Sequence, residues 1–414
     1  MNRKTLPVLT AFALVGTATV LAGAPATASH NGTTPTAFAL SASGYSTRVV
    51  GGDVPAGSDR SAYQVIGCTN LAGLHKSNPE VDVNLGEFRI SGARTDVATT
   101  KKGGTVSSWG RNRIAQVVLA DTGAGRVVLE GVSSKSRAWH NGTGFHASTR
   151  TSVVAITLDP LVGPDVPLVL PTPGNPLRIP GVAVISVGDR DTTERANGAQ
   201  ANADALRIKF IPTGTVAYLA HSRAEIMSGL ARGVYSGSSY ATRANALEGT
   251  VVSGPTPLLI MPCVGTEFER ADIARLTLGN VAIARGLNAS QRGVVRDGNP
   301  TAFERGKVAR TNFLNGTLVV RGVVGKANVT LDGNQASKNT KGTTIAEVRF
   351  NGRLINLGSR DSITLGNNVA TIEPRVVKRT KYGIEVTALR VTLLQRGVVV
   401  NLGHAKVGIR PSGL

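Results

Sequence analysis

The residues with the clearest claim to chemistry are Asp121-Thr122-Gly123-Ala124, which follow the apolar run Val117-Val118-Leu119-Ala120. That is the aspartic-protease pattern, in which an Asp at a strand end activates water. The chemistry needs two carboxylates that share one proton. A second D-[ST]-G is absent, because Asp191-Thr192 and Asp361-Ser362 lack the glycine. The matching turn in the second half is Asn315-Gly316, with no Asp. Asp121-Thr122-Gly123 therefore reads as a hairpin turn.

The six histidines are no richer. His140 and His146 share a Gly/Asn-rich loop, without a cysteine or carboxylate at metal-ligand spacing. Asp189, Asp191 and Glu194 have the composition of a calcium loop, but the second half carries Glu373-Pro374-Arg375 there. No G-x-S-x-G, S-x-x-K, H-E-x-x-H or phosphate-cradling glycine loop occurs. No catalytic residue, metal or cofactor is assigned. Trp109, Trp139 and Phe145 offer a stacking platform for carbohydrate, the last two flanking His140-Asn141-Gly142. Ordinary packing of that loop is the competing reading.

The elements that position these residues come in two sets. Ala203–Ile226 and Val386–Ile409 repeat one another at an offset of 183, which places His221 on His404 and Gly214 on Gly397. A shared repeat position gives the two histidines a structural role, such as a bond to a neighbouring backbone carbonyl. Cys68 and Cys263 pair at an offset of 195, and Thr36-Ala37-Phe38-Ala39-Leu40 aligns with Arg243-Ala244-Asn245-Ala246-Leu247 at 207. By this reading the first copy is longer by 24 residues, 207 minus 183. Its largest visible insertion is the Pro-rich loop 160–180, which reads as an edge excursion. Short β-branched runs recur at roughly ten-residue spacing, with Asn-Gly turns at Asn315-Gly316 and Asn351-Gly352. The best short-helix candidates are Glu267–Leu276 and Ser222–Leu230.

The expected fold is all-β: two tandem homologous β-sandwich-like or barrel-like domains behind a signal peptide. Residues 1–28 carry Arg3 and Lys4, an apolar run from Leu6 to Leu21, and Ala26-Thr27-Ala28. That is a secretory leader with its cleavage site. A flexible arm at 29–34, a first domain at 35–226, a Gly/Ser linker at 227–242 and a second domain at 243–414 follow. No other run reaches the ~18 apolar residues of a spanning helix, so the mature chain is expected to lack a transmembrane segment.

Net charge is +20, or +18 once Arg3 and Lys4 leave with the leader. Residues 301–414 hold 18 Lys/Arg against 6 Asp/Glu. Such a chain outside the cell is expected to associate with anionic cell-wall polymers or polysaccharide, without specific nucleic-acid recognition. The tight cluster is Arg375, Lys378, Arg379 and Lys381. Cys68 and Cys263 each end an apolar strand, in YQVIGC and LLIMPC. A disulfide between the halves and two separately buried thiols both remain open readings.

Several segments resemble actinobacterial secreted proteins of the choice-of-anchor P family. They are the leader, the A-x-A-L opening strand, Cys263-Val264-Gly265-Thr266, LNGTLVVRGVVGKANV at 314–329, TTIAEVRFNGRLI at 343–355 and GIEVTALRVTL at 383–393. The resemblance covers most of the mature chain. The chain departs from it at Arg410–Leu414, where no sortase motif or membrane tail stands. It implies a secreted or extracellular protein of unassigned activity, here with non-covalent wall association, and supplies no catalytic residue. The leading expectation is non-enzymatic adhesion to, or decoration of, the anionic envelope. The alternatives are a secreted hydrolase of envelope polysaccharide and a structural surface-layer protein. Oligomeric state is left open.

Overall fold

The structure is a computed structural model that describes residues 32–50, 60–84, 88–122, 125–230, 233–246, 251–278 and 281–412. The leader at 1–28 and the first residues of the arm at 29–34 lie outside the described residues.

Fourteen strands build the first half. They are β1 (Thr34–Val50), β2 (Gln64–Ala72), β3 (His75–Asn84), β4 (Phe88–Lys102), β5 (Thr105–Thr122), β6 (Gly125–Asn141) and β7 (Gly144–Ser152). After them come β8 (Ala155–Asp159), β9 (Val166–Pro167), β10 (Leu177–Ile179), β11 (Ala183–Val187), β12 (Arg190–Arg195), β13 (Gly198–Phe210) and β14 (Val216–Met227). Thirteen build the second half: β15 (Gly233–Ala246), β16 (Val251–Ile260), β17 (Thr266–Leu278), β18 (Ala282–Arg296), β19 (Asn299–Phe313), β20 (Leu318–Asp332) and β21 (Gln335–Asn339). The remaining six are β22 (Thr344–Phe350), β23 (Arg353–Leu354), β24 (Ile363–Leu365), β25 (Ala370–Arg379), β26 (Gly383–Leu393) and β27 (Val398–Pro411).

These strands form four antiparallel sheets, two in each half. The first sheet runs β10-β11-β13-β14-β1-β2, and the second β3-β4-β5-β6-β8-β9. The third runs β24-β25-β26-β27-β15-β16, and the fourth β17-β18-β19-β20-β22-β23. The pairing order of the first half thus recurs in the second. Inward residues alternate with outward ones over most of each strand, with a break where Ile114 and Val117, three apart, both face inward, and facing sheets share one apolar interior. Ile114, Val117 and Leu129 meet Ile185, Leu206 and Leu219 in the first sandwich. Leu287, Val308 and Val320 meet Leu389, Val391 and Leu402 in the second. Four open-edged sheets stacked in pairs make two sandwich-like units rather than barrels.

Tertiary contacts correct the opening register. Tyr45 stacks on His221 with ring centroids 4.3 Å apart, and Tyr240 stacks on His404 at the same distance. Tyr45-Ser46-Thr47-Arg48 therefore corresponds to Tyr240-Ala241-Thr242-Arg243, at the cysteine offset of 195 rather than 207. The first half is then longer by 12 residues, 195 minus 183. Short apolar alternations recur along any strand, so A-x-A-L aligned by chance where a cross-strand ring pair does not.

The expected linker also becomes structure. Residues 233–242 belong to β15, which pairs with β27 from Gly233↔Pro411 to Ala246↔Val398. Its small residues answer to packing. A Cβ on Gly237 would lie 2.8 Å from Glu304 Oε1, and Ser239 is fully buried, donating to the Ser290 carbonyl. Both short-helix candidates are strands. Glu267–Leu276 lies in β17 and Ser222–Met227 in β14. Ladder pairing with β18, β1 and β13 overrides a local helix preference there. The Pro-rich loop is an edge excursion, with β9 pairing only β8 at Thr157↔Pro167 and Leu158↔Val166.

The halves are joined by the Cys68–Cys263 disulfide, with Cα atoms 5.1 Å apart. Ala39, Leu230 and Val234 pack around it, and Asn70 Nδ2 donates to the Ser412 carbonyl beside it. Among the described residues, no helix is long and apolar enough to cross a membrane.

Candidate functional site

On the outer face of the fourth sheet, one row of side chains runs straight across the strands. Arg275 of β17 lies opposite Arg285 of β18, Arg285 opposite Arg310 of β19, and Arg310 opposite Arg321 of β20. The row ends at Glu347 of β22, opposite Arg321. All four arginines are exposed. With strands about 4.8 Å apart, the four positions span roughly 15 Å. Like charges set directly opposite each other are destabilising. Glu347 accepts from Arg321 at 3.2 Å and from Arg349. The Arg349 bond, with Arg321 and Arg310 close by, holds its carboxyl below the usual range despite the opposing effect of burial. Among the described residues, Arg275 and Arg285 have no ion-pair partner.

Two rows further along, Arg305 lies opposite both Ser290 and Lys326. The Lys326 ammonium sits 4.6 Å from the Phe303 ring centroid. Burial, with Arg305 adding repulsion, lowers its pKa. The face is thus a basic surface with an aromatic in it.

The matching sheet of the first sandwich carries tryptophans on its outer face. Trp109 lies opposite Arg137, and Trp139 is two residues further along the same strand as Arg137. The Arg137 guanidinium lies 5.0 Å from the Trp139 ring, and Lys135 Nζ 6.0 Å from Trp109. Phe145 does not join them. It lies opposite His140 and packs on Phe38 at 5.7 Å, while Trp139 lies opposite His146. Trp139 and Phe145 occupy alternate faces of one hairpin, so the expected joint platform does not form. Of the three aromatics expected to form it, Trp109 and Trp139 share the outer face and Phe145 does not.

The Arg375–Lys381 cluster is also divided. Arg375 has φ +56° and lies between the paired positions Pro374↔Leu389 and Val376↔Thr387. Lys378 lies opposite Glu385 on the outer face of the third sheet, while Arg379 lies opposite the inward Ile384. Lys381 falls in the turn before β26 and lines a cleft between the sandwiches. Neighbours in sequence alternate sides along a strand, so a linear charge run does not make one patch.

The repeated histidines bond to side chains rather than to backbone carbonyls. His221 Nδ1 meets Asp204 Oδ1 at 2.9 Å, and His404 Nδ1 meets Thr387 Oγ1 at 3.0 Å. Burial, reinforced by Lys406, Arg243 and Lys378, pushes the His404 pKa down to about 3. Glu194 accepts from the Ala147 amide at 2.7 Å. Among the described residues, no group of three or more His, Cys, Asp or Glu side chains is placed to hold a metal ion. Asp121 lies near the end of β5 in the hairpin to β6, where Thr122 pairs Gly125. Glu304 has its carboxyl pushed well above the usual range, through burial and then the charge of Glu269. It is fully buried between the sheets of the second sandwich, beside the Ser239 hydroxyl. It is closed off from any substrate.

Sequence reasoning missed the arginine row because its members lie in four separated segments. One signal was available. Arg285-Gly286 and Arg321-Gly322 each place an arginine before a glycine at φ +62° and +60°. At both, the glycine faces an alanine, Ala309 or Ala346, where an added Cβ would collide.

No family model matches the chain, and no curated protein matches it. Among solved structures, the Pseudomonas putida toluene transporter TodX is aligned over 90% of this chain and 87% of that one, at 10% identity and TM-score 0.11. A TM-score that low carries no argument about fold or activity.

Proposed function

We propose that this is a secreted, non-enzymatic surface protein that binds anionic polymers of the cell envelope through the outer face of its second sandwich. The observation that carries the reading is the row Arg275–Arg285–Arg310–Arg321. Four like charges in line oppose folding and are relieved by a bound polyanion, whose repeating charges suit a linear row. The net charge of +18 without the leader supports the same partner class. The leader-like N-terminus and the resemblance to choice-of-anchor P proteins support an extracellular, actinobacterial setting. The repeated pairing order and ring stacks support one domain written twice.

The test is co-sedimentation of residues 29–414 with purified Gram-positive walls, with and without teichoic acid, over a salt series. Binding should require the teichoic acid and fall steeply with salt. Arg285→Glu with Arg310→Glu should abolish it. Salt-resistant binding to stripped walls, or full retention by the double variant, would overturn the proposal.

A further inference from the structure

A cleft of about 420 Å³ lies where the two sandwiches meet. The first sandwich contributes Thr69 and Asn70, and the second contributes Asn334, Lys381, Tyr382 and Arg410. The volume is in the range of small-molecule sites, ~300–1,000 Å³, and so has room for more than a bare ion. Among the described residues, its lining holds two cations, an aromatic ring, two amides and hydroxyls, with no carboxylate.

Several contacts hold Lys381 in place. Lys381 Nζ lies 5.0 Å from the Tyr382 ring. The turn bearing Lys381 is held by Lys338, whose ammonium donates to the carbonyls of Thr380 at 2.8 Å and Lys381 at 3.0 Å. Arg410 is close enough to Lys76 that its charge, after burial, lowers the Lys76 pKa. Positive charge is thus concentrated at the cleft, and among the described residues no carboxylate in its lining neutralises it. The walls come from different sandwiches, and the Cys68–Cys263 bond sits one residue from Thr69. Val234 belongs both to the lining and to the apolar cluster around that bond.

We propose that this cleft binds one polyol phosphate unit, with Lys381 and Arg410 taking the phosphate and Asn70, Asn334 and Tyr382 the polyol. The inference deepens the polymer-binding reading above and rests on it for the source of the ligand. The arginine row attracts the chain of charges, and the junction cleft reads a single unit.

The test is calorimetric titration of residues 29–414 with glycerol 3-phosphate, inorganic phosphate and glycerol. Glycerol 3-phosphate should bind at least about tenfold more tightly than inorganic phosphate, and glycerol should not bind. Lys381→Ala with Arg410→Ala should weaken binding by about tenfold or more without changing Tm. Both side chains are exposed, so the fold does not depend on them. Reducing the disulfide should weaken this binding as well, while Arg285→Glu with Arg310→Glu should leave it intact. Poly(glycerol phosphate) should displace the monomer. Equal affinity for the two phosphates would overturn the polyol assignment, and insensitivity to the cleft variants would overturn the site. Failure of displacement would make the ligand a free metabolite, overturning the polymer source. Wall binding that persists when monomer binding fails separates this proposal from the one it rests on.

Discussion

Arg285 and Arg310 stand directly opposite each other on neighbouring strands of the fourth sheet, both exposed. Arg310 is also opposite Arg321. Reversing its charge turns two repulsions into two attractions. Arg310→Glu should therefore stabilise the fold by a few tenths of a kcal/mol while weakening polyanion binding and lowering its salt dependence. Denaturant melts and a salt-series binding isotherm read the two effects separately. A variant that loses both stability and binding would show that the row is structural.

His404 is buried and neutral, with its pKa pushed down to about 3 from an ordinary 6.5. The unfolded chain therefore binds a proton that the folded chain refuses. Stability is fully present above about pH 6.5 and is lost as pH falls toward 3, with a slope of about 1.4 kcal/mol per unit from this residue. His404→Gln should flatten that slope in urea melts across the window. An unchanged slope would assign acid sensitivity elsewhere.

Glu304 has the opposite sign. Its folded pKa is raised well above 4.5, so its contribution is intact below that value and is lost as pH rises. Glu304→Gln removes the ionisable group and should raise Tm at about pH 7, with the gain shrinking toward about pH 4. Equal gain at both pH values would attribute it to packing instead.

Ala220 and Gly403 occupy the same place in the two halves, at φ +52° and +62°. An alanine strains that conformation by about 1 kcal/mol. Ala220→Gly should stabilise the first sandwich by about that amount. Gly403→Ala should cost more, since its Cβ would lie 2.8 Å from the Gly325 amide nitrogen. Thermal melts of the two variants should move in opposite directions.

The all-β class and the hairpins were legible because their causes are local. Gly366-Asn367-Asn368 all adopt positive φ between β24 and β25, as their residue types favour. The alternation of Val348 and Phe350 with Glu347 and Arg349 marks β22 without any partner. Small residues were harder to read, because Gly237 and Ser239 look like a linker until Glu304 and Ser290 are seen against them.

By itself, the sequence determined the strand-rich class, the repeated C-terminal hairpin and the concentration of positive charge, since composition and period-2 patterning are carried by neighbouring residues. Only the tertiary structure decided which charges stand together. Arg275, Arg285, Arg310 and Arg321 are aligned by the registers of four strands, while Arg375, Lys378, Arg379 and Lys381 are divided by the faces of one strand and its turn. Register depends on pairing between distant segments, and a shift of one residue would turn every side chain of a strand to the opposite face.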